Sequence, residues 1–122
     1  LEKGLDTNVM EKGVSLSGGE KQRLALARGL LAAKKSEIVL MDEPTSSVDS
    51  LNEMKIHENV FQEFKDKTII SSIHRLHLLD KFDYIYMFEN GRIIGEGTLS
   101  EIKRNPRFQR IWTRYNLNVR KK

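Results

Sequence analysis

The 122-residue sequence contains no cysteine, only two prolines and no apolar run near the ~20 residues needed to cross a bilayer. The absence of cysteine excludes disulfides, thiolate zinc sites and cysteine nucleophiles. Hydrophobic residues make up 39% of the chain and charged residues 31%, which is typical of a soluble globular protein and not of a disordered one. The length suits one domain. No secretory signal is found, and the opening at Leu1 instead of Met predicts a piece of a longer protein.

Positive charge is concentrated at one end of the chain. Eight Lys and Arg residues and no Asp or Glu lie between residues 103 and 122, so the remainder is net negative although the whole chain carries +4. A nucleic-acid surface usually spreads basic charge over a folded face with stacking aromatics, and we therefore expect no nucleic-acid partner. Two interpretations stay open: a solvated terminal helix, or a segment near anionic lipid headgroups, where clustered Lys and Arg gain about 1 kcal/mol each.

Helix caps and apolar periodicity predict the first elements. Ser17 and Glu20 have the spacing of a capping box, which predicts a helix that runs to about Ala33. The apolar run 38–41 does not alternate with polar residues, and it predicts a strand buried on both faces of a parallel sheet, ended by Pro44. The apolar face of the first helix is formed by Leu24, Ala27, Leu30 and Leu31.

The rest of the chain continues the alternation without internal repeats. The further predicted elements are a helix over 51–64, a strand over 68–73, a hairpin of 84–88 and 92–94 around Asn90-Gly91, a capping box from Thr98 to Glu101, and a last helix opened by Pro106. This order of elements predicts the α/β class.

Two adjacent carboxylates, Asp42 and Glu43, end the first strand. Ligands of open α/β sheets bind at the carboxyl ends of the strands, and a carboxylate pair can divide its work between a metal ion and a water. On this interpretation Asp42 holds Mg²⁺, directly or through water, and Glu43 accepts a proton from the attacking water. The alternative is a solvated acidic turn after a strand.

A second candidate site is Ser17-Gly18-Gly19 at the start of the first helix. A hydroxyl, unhindered backbone N–H groups and the positive end of the helix dipole suit a phosphate. An ordinary N-cap accounts for Ser17 and Glu20, but not for two glycines in the first turn, where each lowers helix stability by about 1 kcal/mol relative to Ala.

Histidine supplies the third candidate. His74 follows the 68–73 strand and should emerge at the same sheet edge as Glu43, where a neutral imidazole can hydrogen-bond a terminal phosphate. A metal site of His74, His77 and Asp80 is disfavoured because nothing else in the sequence completes a ligand set. We interpret His57 and His77 as surface histidines.

These residues together resemble the motifs of ATP-binding cassette (ABC) ATPases. Leu16 to Glu20, followed by Lys21-Gln22-Arg23, resembles the signature motif, and Ile38 to Glu43 resembles the Walker B strand. The D-loop is matched by 46–49, and the switch histidine by His74. The resemblance implies that Ser17, Gly18, Gly19 and Glu20 contact nucleotide held by an opposite subunit, that Ser46, Ser47 and Asp49 belong to the D-loop, and that Glu43 and His74 are catalytic.

The resemblance also implies what is missing. No Gly-x-x-x-x-Gly-Lys-Ser/Thr segment occurs in the sequence, so the phosphate-cradling Walker A loop is absent. The chain thus resembles the carboxyl-terminal half of a RecA-like P-loop domain, with residues 1–34 ending the helical subdomain and 35–122 forming part of the catalytic core. Its cofactors would be ATP and Mg²⁺, and the isolated chain should be inactive. In this family the Walker A strand lies between the strands predicted at 68–73 and 84–88, which predicts that residues outside the chain supply it.

Residues 6–13, the sequence His74-Arg75-Leu76 and the segment 108–112 resemble exporter-type cassettes. The resemblance implies a second nucleotide-binding domain and transmembrane domains as partners, at the cytoplasmic face of a membrane. Two alternatives remain: a soluble ABC ATPase of the DNA-repair or ribosome-associated kind, and a half-domain that regulates a cassette partner without catalysis.

Overall fold

The structure is a computed structural model that describes residue 6 and residues 16–120. Most of the exporter-like segment 6–13 therefore lies outside the described residues. The chain divides into two units, Leu1–Ser72 and Ile73–Lys122. The sheet of each unit has two strands. The subdivision predicted at residues 34 and 35 stays a prediction.

The first unit is a helix followed by a strand, helix, strand motif. Its elements are α1 (Gly18–Ala33), β1 (Ile38–Asp42), α2 (Ser50–Glu63) and β2 (Thr68–Ser72). The strands pair in parallel, from Ile38 opposite Thr68 to Asp42 opposite Ser72. The predicted elements of this unit agree with these bounds to within a residue or so, and the two carboxyl ends lie side by side.

The core of the first unit lies on one face of this sheet. Val39, Val60 and Phe64 are buried in one cluster, against which partly buried residues pack. The latter are Leu30, Ala33, Met41, Ile56 and Ile69. Both helices thus contribute to the face of the sheet that bears Val39, because alternate residues of a strand point to opposite faces.

The prediction that β1 is buried on both faces is wrong. Ile38 and Leu40 are 57% and 74% exposed, and Ile70 of β2 is 56% exposed. These three residues alternate with Val39, Met41 and Ile69 of the buried cluster, so within the described residues the other face of the sheet exposes apolar side chains to solvent. The predicted face of α1 is also only partly correct, since Leu30 packs in the cluster but Leu31 is exposed.

The second unit begins with a 3₁₀ helix over Leu76–Lys81, which the sequence analysis does not predict. It is followed by β3 (Ile85–Glu89), β4 (Arg92–Gly97), α3 (Leu99–Ile102) and α4 (Pro106–Arg120). The strands are antiparallel, with an irregularity between Met87 and Phe88.

Local sequence signals explain the turns of the second unit. Asn90 and Gly91 have φ values of +49° and +74°, as a tight hairpin turn requires. Thr98 caps α3 with a complete capping box, in which its hydroxyl accepts the Glu101 N–H and the Glu101 carboxylate accepts the Thr98 N–H. The core of this unit is a cluster of four buried residues, Leu79, Ile85, Ile102 and Phe108.

Candidate functional site

The carboxyl ends of β1 and β2 bring Asp42, Glu43 and Ser72 together. The Ser72 hydroxyl donates to Asp42 Oδ1 at 2.6 Å and accepts the Glu43 N–H at 2.9 Å. This arrangement follows from the parallel register, which places Asp42 directly opposite Ser72. One hydroxyl therefore holds both the predicted metal ligand and the main chain of the predicted base.

Glu43 has a left-handed backbone conformation, with φ of +43°. Residues other than glycine rarely adopt this region, and it costs on the order of 1–3 kcal/mol where it occurs. The chain reverses direction here, because the Ser46 N–H bonds back to the Glu43 carbonyl at 3.3 Å. Such strain is often found at active sites, which is consistent with the role predicted for Glu43.

Gln22 links α1 to this turn by its side-chain amide. We call α1 the signature helix because it carries the predicted signature motif. The amide nitrogen donates to the Glu43 carbonyl at 3.2 Å and to Ser46 Oγ at 2.9 Å, and the amide oxygen accepts the Ser47 N–H at 2.7 Å. The amide supplies both donors and an acceptor, as a turn with exposed polar groups of both kinds requires.

The start of α1 shows the N-cap half of the predicted capping box. Ser17 is its N-cap, and the Ser17 hydroxyl accepts the Glu20 N–H at 3.1 Å. Ser17, Gly18 and Glu20 are exposed at this end of the helix. Phosphate binding by these groups stays a prediction.

The two glycines of the signature helix differ in their surroundings. A Cβ on Gly19 would lie 2.7 Å from the Ser47 carbonyl oxygen, whereas a Cβ on Gly18 would meet nothing closer than 3.9 Å. Gly19 is therefore explained by the close approach of α1 to the turn. Gly18 has no such structural reason, and it remains the better candidate for contact with a phosphate.

This difference predicts opposite effects of two alanine substitutions. We expect Gly19→Ala to lower the free energy of unfolding by about 1–3 kcal/mol, because the new methyl group overpacks against the backbone of the turn. Gly18→Ala should be neutral or slightly stabilising, since alanine is the better helix former. Urea unfolding of the intact ATP-binding domain measures both, and equal stabilities would contradict the close approach of Gly19 to Ser47.

The residues predicted to form the D-loop lie in an exposed turn that is anchored by buried neighbours. Ser46, Ser47 and Asp49 are exposed, while Thr45 and Val48 are buried. Asp49 also caps α2, where its carboxylate accepts from the backbone N–H and the side-chain amide of Asn52. These hydrogen bonds lower the pKa of Asp49. The cap therefore stabilises the fold above the unfolded pKa and is lost as pH falls through the folded value.

A buried polar cluster fixes the turn to α2. The Thr45 hydroxyl donates to Glu53 Oε2 at 2.7 Å, and His57 Nδ1 lies 3.0 Å from the Glu53 carbonyl. Because a carbonyl only accepts, His57 Nδ1 is the donor. The prediction of His57 as a surface residue is wrong, since it is 2% exposed. His57 lies on the same face of α2 as Glu53 and Val60, and this face packs inward.

The remaining histidines belong to the second unit. His74 is exposed and follows β2 by two residues, so its approach to Glu43 stays a prediction. His77 is only partly exposed, and its Nδ1 lies 2.6 Å from the Tyr115 hydroxyl, so its interpretation as a surface histidine is only partly correct. Within residue 6 and residues 16–120, no three His, Asp or Glu side chains are grouped so that they could hold a metal ion.

Gln22 and Ser72 are the site residues that the sequence analysis misses as individual groups. Gln22 lies one helical turn after Gly18, and this periodicity could have placed it beside the glycines. Ser72 stands out as a polar residue on the strand face that also bears Ile70.

Among the helices of the described residues, none has the length and apolar character to span a membrane.

Comparisons with known proteins identify the family of the chain. A family model described as ABC transporter matches residues 1–46. The putative export ATP-binding/permease protein of Rickettsia felis is 37% identical over 119 residues, 98% of this chain and 20% of that protein. The glutathione/L-cysteine transport system ATP-binding/permease protein of Bacillus subtilis is 41% identical over 120 residues, 98% of this chain and 20% of that protein.

A solved structure of an ABC exporter is also similar to this chain. The structure of a bacterial Atm1-family ABC exporter with ATP bound matches with a TM-score of 0.79 at 36% identity, covering 93% of this chain and 20% of that one. The predicted α/β fold of an ABC ATPase domain is thereby confirmed. The chain spans about a fifth of the length of these relatives. The chain belongs to the ABC transporter family and is part of an ATP-binding domain of the exporter type.

Proposed function

We propose that this chain is part of the ATP-hydrolysing domain of an ABC exporter, at the cytoplasmic face of a membrane, where ATP binding and hydrolysis are coupled to transport. The observation that carries the proposal is the Asp42-Glu43 pair held at the end of β1, beside a turn that Gln22 links to the signature helix. One relative is named an export ATP-binding/permease protein and another a transport-system ATP-binding/permease protein, which favours an exporter over the soluble and regulatory alternatives.

Asp42 is the residue that would hold Mg²⁺. Its carboxylate is exposed and is fixed at Oδ1 by Ser72, which leaves Oδ2 for the ion. Mg²⁺ is usually bound by one or two carboxylates together with water and substrate phosphates, so one such carboxylate at this position fits. Held by Asp42, the ion would supply positive charge against the negative charge that develops on the phosphate.

Glu43 would act as the general base. Its carboxylate accepts a proton from the water that attacks the terminal phosphate, and a positioned base contributes typically 10²–10⁴-fold to a rate. The main-chain bonds of Glu43 to Ser72 and Gln22 hold its position. His74 would donate a hydrogen bond to the same phosphate and so orient it.

The signature residues would serve the nucleotide of a second ATP-binding domain. Ser17, Gly18 and Gly19, with Glu20 beside them, present backbone N–H groups and a hydroxyl at a helix start, where negative charge is stabilised. The exposed D-loop residues Ser46, Ser47 and Asp49 would lie at the contact between the two domains. Transmembrane domains are the other partners, and we expect no nucleic acid.

The proposal is tested by comparing the isolated chain with the full-length protein. The 122 residues include no Walker A sequence, which in this class supplies most of the backbone N–H donors to phosphate. We expect calorimetric titration of the chain with Mg-ATP to give no binding heat at micromolar protein. The full-length protein, reconstituted in vesicles, should hydrolyse ATP in the presence of Mg²⁺. Micromolar affinity of the isolated chain, or no ATPase activity of the full-length protein, would contradict the proposal.

A further inference from the structure

We propose that Ser72 is a positioning residue that sets the orientation of the Asp42 carboxylate and the main chain of Glu43 through a single hydroxyl. The inference rests on the proposed function, because it takes Asp42 as the metal ligand and Glu43 as the base. The observation that supports it is a pair of hydrogen bonds at Ser72 Oγ. The hydroxyl donates to Asp42 Oδ1 at 2.6 Å and accepts the Glu43 N–H at 2.9 Å.

The two hydrogen bonds use the hydroxyl in both of its roles. A serine hydroxyl has one proton to donate and lone pairs to accept. The proton goes to a carboxylate, and hydrogen bonds to a carboxylate are short and about twice as strong as neutral ones. A lone pair of the Ser72 hydroxyl accepts the Glu43 N–H. At Glu43 the backbone φ of +43° turns the chain out of β1. The Ser72 side chain thus accepts a backbone N–H that lies beyond the last residue of β1, and it also fixes the Asp42 carboxylate.

Ser72 lies at the end of one face of the sheet, where it pairs with Asp42. Ile70, Leu40 and Ile38 are apolar side chains on the face of the sheet that Ser72 and Asp42 share. The hydroxyl and the carboxylate form a cross-strand pair at the end of this face, joined by the 2.6 Å hydrogen bond from Ser72 Oγ to Asp42 Oδ1. Ser71 lies on the other face, and its hydroxyl donates only weakly, at 3.3 Å, to the Ser72 carbonyl. Ser71 is therefore a matched control.

A residue that orients a metal ligand affects both metal affinity and rate. Loss of such an outer partner typically lowers metal affinity or activity about 10- to 100-fold. We expect Ser72→Ala and Ser72→Val to lower the affinity for Mn²⁺ in the nucleotide complex, and kcat for ATP hydrolysis, by about 10-fold or more. KM for ATP at saturating metal should stay within about twofold, because the substrate phosphates are held by other residues.

The experiment uses the full-length protein with four variants. Ser72→Thr keeps the hydroxyl, and Ser72→Val has nearly the shape of threonine without a hydroxyl. Comparison of these two variants therefore measures the effect of the hydroxyl even if Ser72→Ala folds poorly. Ser71→Ala is the control for loss of a neighbouring hydroxyl. Electron paramagnetic resonance with Mn²⁺ and a non-hydrolysable ATP analogue measures metal affinity, and steady-state ATPase assays give kcat and KM.

The expected result is that Ser72→Thr and Ser71→Ala behave like the wild type, while Ser72→Val loses both metal affinity and kcat. Equal Mn²⁺ affinities of the Thr and Val variants would overturn the role of Ser72. A wild-type protein without Mg²⁺-dependent ATPase activity would instead refute the proposed function. The wild-type assay therefore distinguishes the two failures.

Discussion

Glu43→Gln in the intact ATP-binding domain is expected to lower kcat for ATP hydrolysis about 10²- to 10⁴-fold, with little change in the affinity for Mg-ATP. The amide has the shape of the carboxylate but cannot take a proton from water. The hydrogen bonds of residue 43 to Ser72 and Gln22 involve its main-chain N–H and carbonyl. They persist in the variant, so the left-handed turn should be retained.

The measurement combines single-turnover hydrolysis with equilibrium nucleotide binding. Glu63→Gln is a matched control, because it removes the same charge from an exposed position at the end of α2. It should hydrolyse ATP at the wild-type rate. If Glu43→Gln turned over ATP normally, the general base would be another residue. If it lost nucleotide binding as well, the substitution would have disturbed more than the proton transfer, contrary to the main-chain argument.

The helix boundaries can be predicted from the sequence because their causes are local. Ser17 and Thr98 cap helices with hydroxyls that accept an N–H three residues on, so four residues contain the whole signal. The Asn90-Gly91 hairpin is likewise decided by two backbone conformations. Asp42 and Glu43 stand out in the sequence for a similar reason, since they directly follow an apolar strand.

The partners of these residues cannot be predicted in the same way, because they are distant in the sequence. Gln22 bonds to residues more than 20 positions away, and Ser72 to Asp42, 30 positions away. Their geometry depends on strand register and on the approach of α1 to the turn. The prediction for His57 fails because a helix with few apolar residues does not reveal its inward face. The exposure of Ile38 and Leu40 shows that an apolar run predicts a strand, but not what covers it.

Gly18→Asp is expected to leave Mg-ATP binding to a single ATP-binding domain unchanged and to abolish ATP-driven dimerisation and turnover. Two like charges about 4 Å apart near a protein surface repel by about 4 kcal/mol, which corresponds to a loss of about 10³-fold in dimer affinity. The carboxylate would face the terminal phosphate held by the partner domain. Size-exclusion chromatography with light scattering, in the Glu43→Gln background with ATP, measures the dimer.

Misfolding is a poor explanation for such a loss, because the structure favours an acidic residue at position 18. A Cβ there meets nothing closer than 3.9 Å, and an acidic side chain in the first turn of a helix is stabilising by about 0.3–1 kcal/mol. Gly18→Asn has nearly the same shape without the charge, so it should dimerise better than Gly18→Asp. Added salt should partly restore the Asp variant, since screening weakens repulsion between charges. ATP-driven dimers of Gly18→Asp at wild-type affinity would mean that the signature helix does not meet the partner's nucleotide, and Gly18 would then need another explanation.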